Sequence, residues 1–259
     1  MWKRFRVLKK LIIEVNQMQR TITKTVYQFA ELSDKAKEKA REWYRSCSDS
    51  SDLDNVIEDF TQIAEIIGLE LDTHSVKLYG GGTRQEPEIF YSIGYCQSDY
   101  AAFAGTWKYK AGCLKAIKEY APQNTGLHSI VSDWQALQKT NFYRLRAICS
   151  ESRGNQYVDE VVKGYSSRYD EESVDYKTEH AAGDIVTDLA RWLYCRLRDE
   201  CDYQSSDEYV DEAIEANELE FYENGERVRS RRSWKGAAIT MPENMGYLTK
   251  PGIIAGCDQ

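Results

Sequence analysis

Ile89-Phe90-Tyr91-Ser92-Ile93-Gly94-Tyr95, then Cys96-Gln97-Ser98-Asp99, then Ala101 through Trp107 to Tyr109, is the stretch that decides the fold. The first segment is rich in β-branched and aromatic residues with one largely aromatic face, as a strand requires. The polar tetrapeptide supplies turn chemistry, and the segment after it is the expected hairpin partner. A hairpin here predicts antiparallel pairing, because parallel strands need a long crossover.

Working outward, alternation over 20–29 predicts another strand, and Ser33 then stands where a helix over 34–47 would be capped. Ala36, Ala40, Trp43, Tyr44 and Cys47 form the apolar stripe of that helix. Leu53, Val56, Ile57, Phe60, Ile63, Ala64 and Ile67 recur at helical spacing, with Gly68 at the position of a C-terminal cap. Residues 69–79 read as extended, and Gly80-Gly81-Gly82 as a hairpin turn. That triplet lacks the Lys-Ser/Thr ending of a phosphate loop.

Pro122 closes a short helix bearing Leu114, Ile117 and Tyr120, and Leu127, Ile130, Val131, Trp134 and Leu137 predict a longer one. Alternation from Phe142 to Cys149 and from Tyr157 to Val162, separated by Ser152-Arg153-Gly154-Asn155, predicts two more strands. From Ala181 the chain reads helical, ending in an acidic helix with Val210 and Ile214 inward. The expectation is an α+β fold: a mainly antiparallel sheet of about four to five strands, packed with helices and finished by an acidic C-terminal helix. A basic extension over 1–20, one domain over 21–228 and a basic, Gly-rich tail over 229–259 complete the expected organisation.

Composition sets the bounds: 259 residues with 42% hydrophobic content are enough for a sizeable core. No apolar run approaches the roughly 20 residues that span a bilayer, and a cytoplasmic location in a host cell is expected. The seven cysteines are scattered without a Cys-x-x-Cys pair, and His74, His128 and His180 have no partner at metal-ligand spacing. No metal, no cofactor and no catalytic residue is expected, and the protein reads as a non-enzyme.

The net charge of −8 is unevenly spread. Twelve carboxylates and no Lys or Arg lie between Asp199 and Glu226. Within that run Asp207, Glu208, Asp211, Glu212, Glu215 and Glu218 fit a helix and are the candidate partner-binding residues. Such a run is more often a solvated face than a site, but here basic clusters flank it in sequence, at Lys3 to Lys10 and Arg227 to Lys235. Those clusters are placed to fold back on the carboxylates, to touch a phosphate backbone or to contact a second subunit. Tyr95, Gln97 and Asp99 at the hairpin tip are the ligand-binding candidates, set against the simpler reading that Asp99 caps the turn.

The stretch Val26-Tyr27-Gln28-Phe29-Ala30-Glu31-Leu32-Ser33-Asp34-Lys35-Ala36-Lys37-Glu38-Lys39-Ala40-Arg41-Glu42-Trp43-Tyr44 resembles the opening of a family of tailed-phage and prophage accessory proteins. Tyr95 to Asp99, Trp107-Lys108-Tyr109-Lys110, Lys118-Glu119-Tyr120-Ala121-Pro122 and Glu212-Ala213-Ile214-Glu215-Ala216-Asn217 carry the same resemblance, which runs from about Thr21 to Val228. Ser98 stands where the family usually has Gly, which weakens the case for a functional tip. Some relatives are labelled antitoxins. The resemblance implies a phage setting, in which proteins without catalytic motifs act by binding a host factor.

The resulting expectation is an accessory protein that inhibits a host protein, such as a nucleic-acid-handling defence component, through its acidic surface. An antitoxin is the first alternative, and a ligand sponge or enzyme sited near 95–100 the second. A homo-oligomer remains an alternative partner, and direct nucleic-acid binding is expected only through the basic tail.

Overall fold

A computed structural model describes residues 23–47, 52–163 and 172–228, and the elements run in chain order as follows. β1 (Tyr27–Gln28) leads through one turn of 3-10 helix (Phe29–Glu31) into α1 (Asp34–Cys47) and α2 (Asp54–Ile67). Six strands follow: β2 (Leu69–Leu71), β3 (Thr73–Lys77), β4 (Thr83–Pro87), β5 (Ile89–Ser92), β6 (Tyr100–Phe103) and β7 (Gly105–Lys108). Then come α3 (Cys113–Tyr120), α4 (Thr125–Thr140), β8 (Leu145–Ser152), β9 (Asn155–Lys163) and β10 (Glu172–Ser173). The chain continues with α5 (Tyr176–Ser205), α6 (Asp207–Ala216) and β11 (Glu220–Phe221). The fold is α+β with antiparallel pairing throughout its main sheet, as the hairpin predicts. The expected basic N-terminal extension and the tail after Val228 lie outside the described residues.

By internal contacts the chain divides into two compact units, and in described residues these are 23–47 with 207–228, and 52–163 with 172–206. In the larger unit the sheet order is β10-β9-β8-β7-β2. The registers place Leu69, Trp107, Ala147 and Val161 in one row across four strands, each nearly or fully buried. Phe60, Ile63 and Ile67 of α2, Ile117 of α3, Leu127, Val131 and Trp134 of α4, and Val186, Leu189 and Leu193 of α5 join that row in one core. Alternate residues such as Glu70, Thr106 and Glu160 point to the sheet's other face, where period-two alternation puts them.

Two of the expected strands are each split in two. The extended stretch 69–79 breaks at Asp72, and 101–109 breaks at Ala104. A closed ring of backbone hydrogen bonds causes both breaks: Asp72 N–H donates to Ala104 O (2.9 Å), Ala104 N–H to Glu88 O (2.9 Å) and Glu88 N–H to Asp72 O (2.8 Å). β2 and β7 therefore serve the large sheet, while β3–β4 and β5–β6 leave it as hairpins. The β5–β6 hairpin keeps the expected pairing, Ile89 opposite Phe103 and Ser92 opposite Tyr100.

Three boundaries differ from expectation. The strand expected over 20–29 is, among the described residues, only Tyr27–Gln28. The Glu31 carboxylate accepts the Gln28 N–H at 2.9 Å and turns the chain into the 3-10 segment. The strand expected from Phe142 starts at Leu145, because Phe142 and Tyr143 adopt φ of 56° and 59°, which no strand contains. The last long helix starts at Tyr176, five residues before Ala181, where the Asp175 carboxylate accepts from the Thr178 N–H and hydroxyl.

The smaller unit joins the two ends of the described chain. β1 pairs antiparallel with β11, Tyr27 opposite Phe221. Phe221 is fully buried, with its ring 6.3 Å from Phe29 and 6.1 Å from Trp43. Ala36, Ala40 and Tyr44 of α1 are buried as the stripe predicts, whereas Cys47 is exposed. Gly225 is required here, since its φ is 80° and a Cβ would lie 2.3 Å from Ala36 O.

Candidate functional site

The acidic helix α6 has two electrostatic sides. Val210 and Ile214 point inward, both fully buried, as the periodicity requires. Asp211 is gripped side-on by Arg41 of α1, with Nε to Oδ1 and Nη2 to Oδ2 both at 2.7 Å. Asp207 pairs with Arg45 and lies 3.5 Å from Arg41 Nη1, which also reaches Glu38 at 3.3 Å. A bidentate Arg–carboxylate pair is the strong form of this contact. The hydrogen bond that Arg41 donates to Asp211 raises the Arg41 pKa above its ordinary value, against an opposing effect of burial.

The outer side is different. Glu208, Glu212 and Glu215 are exposed on the helix. Glu218, expected within it, lies two residues past its end in a left-handed turn with φ of 48°. Among the described residues no Lys or Arg lies within ion-pair distance of Glu212, Glu215 or Glu218. Like charges three and four apart each cost a helix about 0.2–0.5 kcal/mol, a tension that a cationic partner would relieve.

At the hairpin tip the three ligand candidates do not converge on a common point. Asp99 folds back on its own turn: Oδ1 accepts from Gly94 N–H (2.9 Å) and the Cys96 thiol (3.2 Å), and Oδ2 from Cys96 N–H (3.1 Å). The Gly94 N–H chiefly holds the Asp99 carboxyl below its ordinary pKa, as expected for a carboxylate that takes backbone donors. Tyr95, left-handed with φ of 56°, reaches away to α5, where its hydroxyl donates to Asp202 Oδ1 at 2.7 Å. That bond and partial burial push its pKa up to about 12. The Arg198 guanidinium lies 5.6 Å from the Tyr95 ring. Gln97 is exposed at the tip.

The three histidines stand apart from one another. His128 donates from Nε2 to Ala121 O (2.8 Å), His180 Nδ1 lies 3.1 Å from Asp184, and His74 is exposed on β3. Burial pushes the Cys149 thiol up to about 12, far from the thiolate form that reacts. Among the described residues no group of three or more His, Cys, Asp or Glu could hold a metal ion, and no helix is long and apolar enough to cross a membrane. An open cleft of about 420 Å³ in the smaller unit is lined by both signs of charge, Lys24 facing Glu223 and Glu226.

One exposed aromatic cluster went unsuspected. Phe142 and Tyr143 stand at the surface between α4 and β8, and the Tyr143 ring centroid is 4.6 Å from that of Tyr109. The available signal was an aromatic pair directly after a helix end and between Lys139 and Arg144.

Architecture and surface together define an α+β protein whose larger unit carries the sheet and whose acidic helix belongs to the smaller one. Residues 53–207, more than half of the chain, match the family described as Domain of unknown function (DUF8835), and the chain belongs to that family. The matched span is nearly that of the larger unit. No curated protein and no solved structure matches the chain.

Proposed function

We propose that this is a non-catalytic phage or prophage accessory protein that binds and inhibits a host protein through the outer face of α6. The observation that carries the reading is the division of the acidic run. Asp207 and Asp211 are used within the fold, while Glu212, Glu215 and Glu218 stay exposed without an ion pair among the described residues. Carboxylates not needed to hold the fold are free to meet a basic surface, and a protein that handles nucleic acid offers one. The phage setting comes from the resemblance over Thr21 to Val228. The engagement of Asp99 and Tyr95 inside the protein favours a binding surface over a reaction site at the tip.

The test is co-purification of the tagged chain from its host at moderate salt, beside a variant carrying Glu212→Lys, Glu215→Lys and Glu218→Lys. Asp207 and Asp211 stay intact in the variant, so the grip of Arg41 and Arg45 is kept. One host protein held by the native chain and bound at least about tenfold more weakly by the variant supports the reading. If that protein is a small toxin encoded beside this chain, the inhibition is that of an antitoxin. Equal capture by both chains rejects the acidic surface.

A further inference from the structure

The loop between α4 and β8 is tied down by hydrogen bonds and exposes two rings. The Gln138 side chain is fully buried and pairs with the Leu145 backbone in both directions, its Nε2 donating to Leu145 O (2.9 Å) and its Oε1 accepting from Leu145 N–H (3.1 Å). Asn141 Nδ2 donates to Leu137 O at 3.0 Å, and Tyr143 N–H to Gln138 O at 2.7 Å. These bonds hold Phe142 and Tyr143, two successive residues with side chains, in the left-handed region that such residues avoid. The outcome is a phenyl ring 79% exposed and a tyrosine 47% exposed, which buries little apolar surface in return for the strain. Strain of this kind points to a use at the surface.

Lysines flank the rings in sequence. Tyr109 lies between Lys108 and Lys110, Lys108 is directly opposite Arg146 in the β7–β8 register, and exposed Lys139 accepts the Phe142 N–H at its carbonyl. Lys108 pairs with Glu70 at 2.5 Å, and Lys110 Nζ donates to Glu65 O at 2.5 Å, so both keep their charge while held at the fold. In a chain of net charge −8 this is a locally basic and aromatic surface. Exposed rings beside lysines are the elements of sequence-tolerant recognition of single strands, in which bases stack and phosphates meet cations.

We propose that Tyr109, Phe142 and Tyr143, flanked by Lys108, Lys110 and Lys139, form a stacking site for single-stranded nucleic acid. The site lies wholly within the larger unit and does not depend on the carboxylates of α6. It departs from the expectation that only the basic tail would touch nucleic acid.

The experiment is fluorescence anisotropy of the full-length chain with labelled oligo(dT) and oligo(U) of about fifteen nucleotides at low salt. The native chain binds one or both, and the ratio tells DNA from RNA. Phe142→Ala with Tyr143→Ala weakens binding at least about tenfold, Phe142→Trp retains it, and Lys139→Glu weakens it with a shallower salt dependence. Phe142→Gly separates this role from a packing role: it relieves the left-handed strain, so the midpoint of thermal unfolding stays or rises while binding falls as in the alanine variant. No binding by the native chain overturns the proposal. So does equal binding by the native chain and the double alanine variant, which would leave phosphate contact to the basic segments near 3–10 and 227–235.

Discussion

The two units are held by different physics. Residues 52–163 and 172–206 enclose one continuous apolar core in which Trp107 and Trp134 stack at 4.6 Å and both are nearly or fully buried. The unit formed by 23–47 and 207–228 has a thinner core around Phe29, Ala40, Ile214 and Phe221, edged by the network of Arg41 and Arg45 with Glu38, Asp207 and Asp211. A buried apolar row excludes water and is nearly indifferent to ionic strength, whereas partly exposed ion pairs are screened. The contrast gives the acidic run a structural part in the smaller unit. Its inner carboxylates add ionic contacts to the smaller unit's core, and Glu212, Glu215 and Glu218 have no ion pair among the described residues.

The largest test of the contrast is Trp107→Ala. It removes the stack on Trp134 and the hydrogen bond from Nε1 to Ile67 O (3.1 Å), and leaves a cavity in the row that joins four strands. The expected loss is about 3–5 kcal/mol in urea unfolding, the same at low and high salt. Arg41→Met comes next. It keeps the apolar stem but strands Asp211, and should cost about 1–3 kcal/mol at low salt. Near 1 M salt, where the screening length is about 3 Å, the cost should shrink. Hydrogen exchange should quicken in 23–47 and 207–228 without matching acceleration in 52–206. Equal acceleration in both units would break the comparison.

Most of the helices were legible because their burial is periodic in sequence. Gly68 shows this at one residue: it has φ of 86° and its N–H caps Ala64 and Glu65, as the end of the apolar stripe requires. Polar residues with internal work were not legible. Gln138 looks like a surface residue on α4, yet its amide extends β8 by bonding Leu145. Gln156 likewise bonds Phe103 in both directions, its Oε1 accepting from the N–H at 2.8 Å and its Nε2 donating to the O at 3.1 Å. The ring of Asp72, Glu88 and Ala104 is similarly hidden, since it depends on three strands meeting and not on any one pattern. At the acidic helix, Val210 and Ile214 could be placed from spacing, but the grip of Arg41 on Asp211 spans 170 positions and leaves no local trace. For the hairpin, turn chemistry gave the geometry. The sequence reading that Asp99 caps its turn agrees with the bonds it accepts from Gly94 and Cys96.

That turn supplies the smallest and sharpest test, because it places a hydrogen-bonded carboxylate at the surface of the unit whose core is apolar. The folded pKa of Asp99 lies below its unfolded value, chiefly through the Gly94 N–H. The carboxylate therefore stabilises the turn fully above the unfolded pKa of about 4, and that contribution fades as pH falls through the lower folded value. Asp99→Asn keeps one acceptor but replaces the other with a donor that faces the Cys96 N–H, so it should remove this part of the acid dependence and loosen the tip at neutral pH. Amide exchange at Gly94 and Cys96 should quicken, with the strands of the large sheet unchanged, because an exposed turn carries little of the unit's stability. If exchange throughout 52–206 rose as well, charge at the tip would be supporting the core, and the division between an apolar unit and an ionic one would fail.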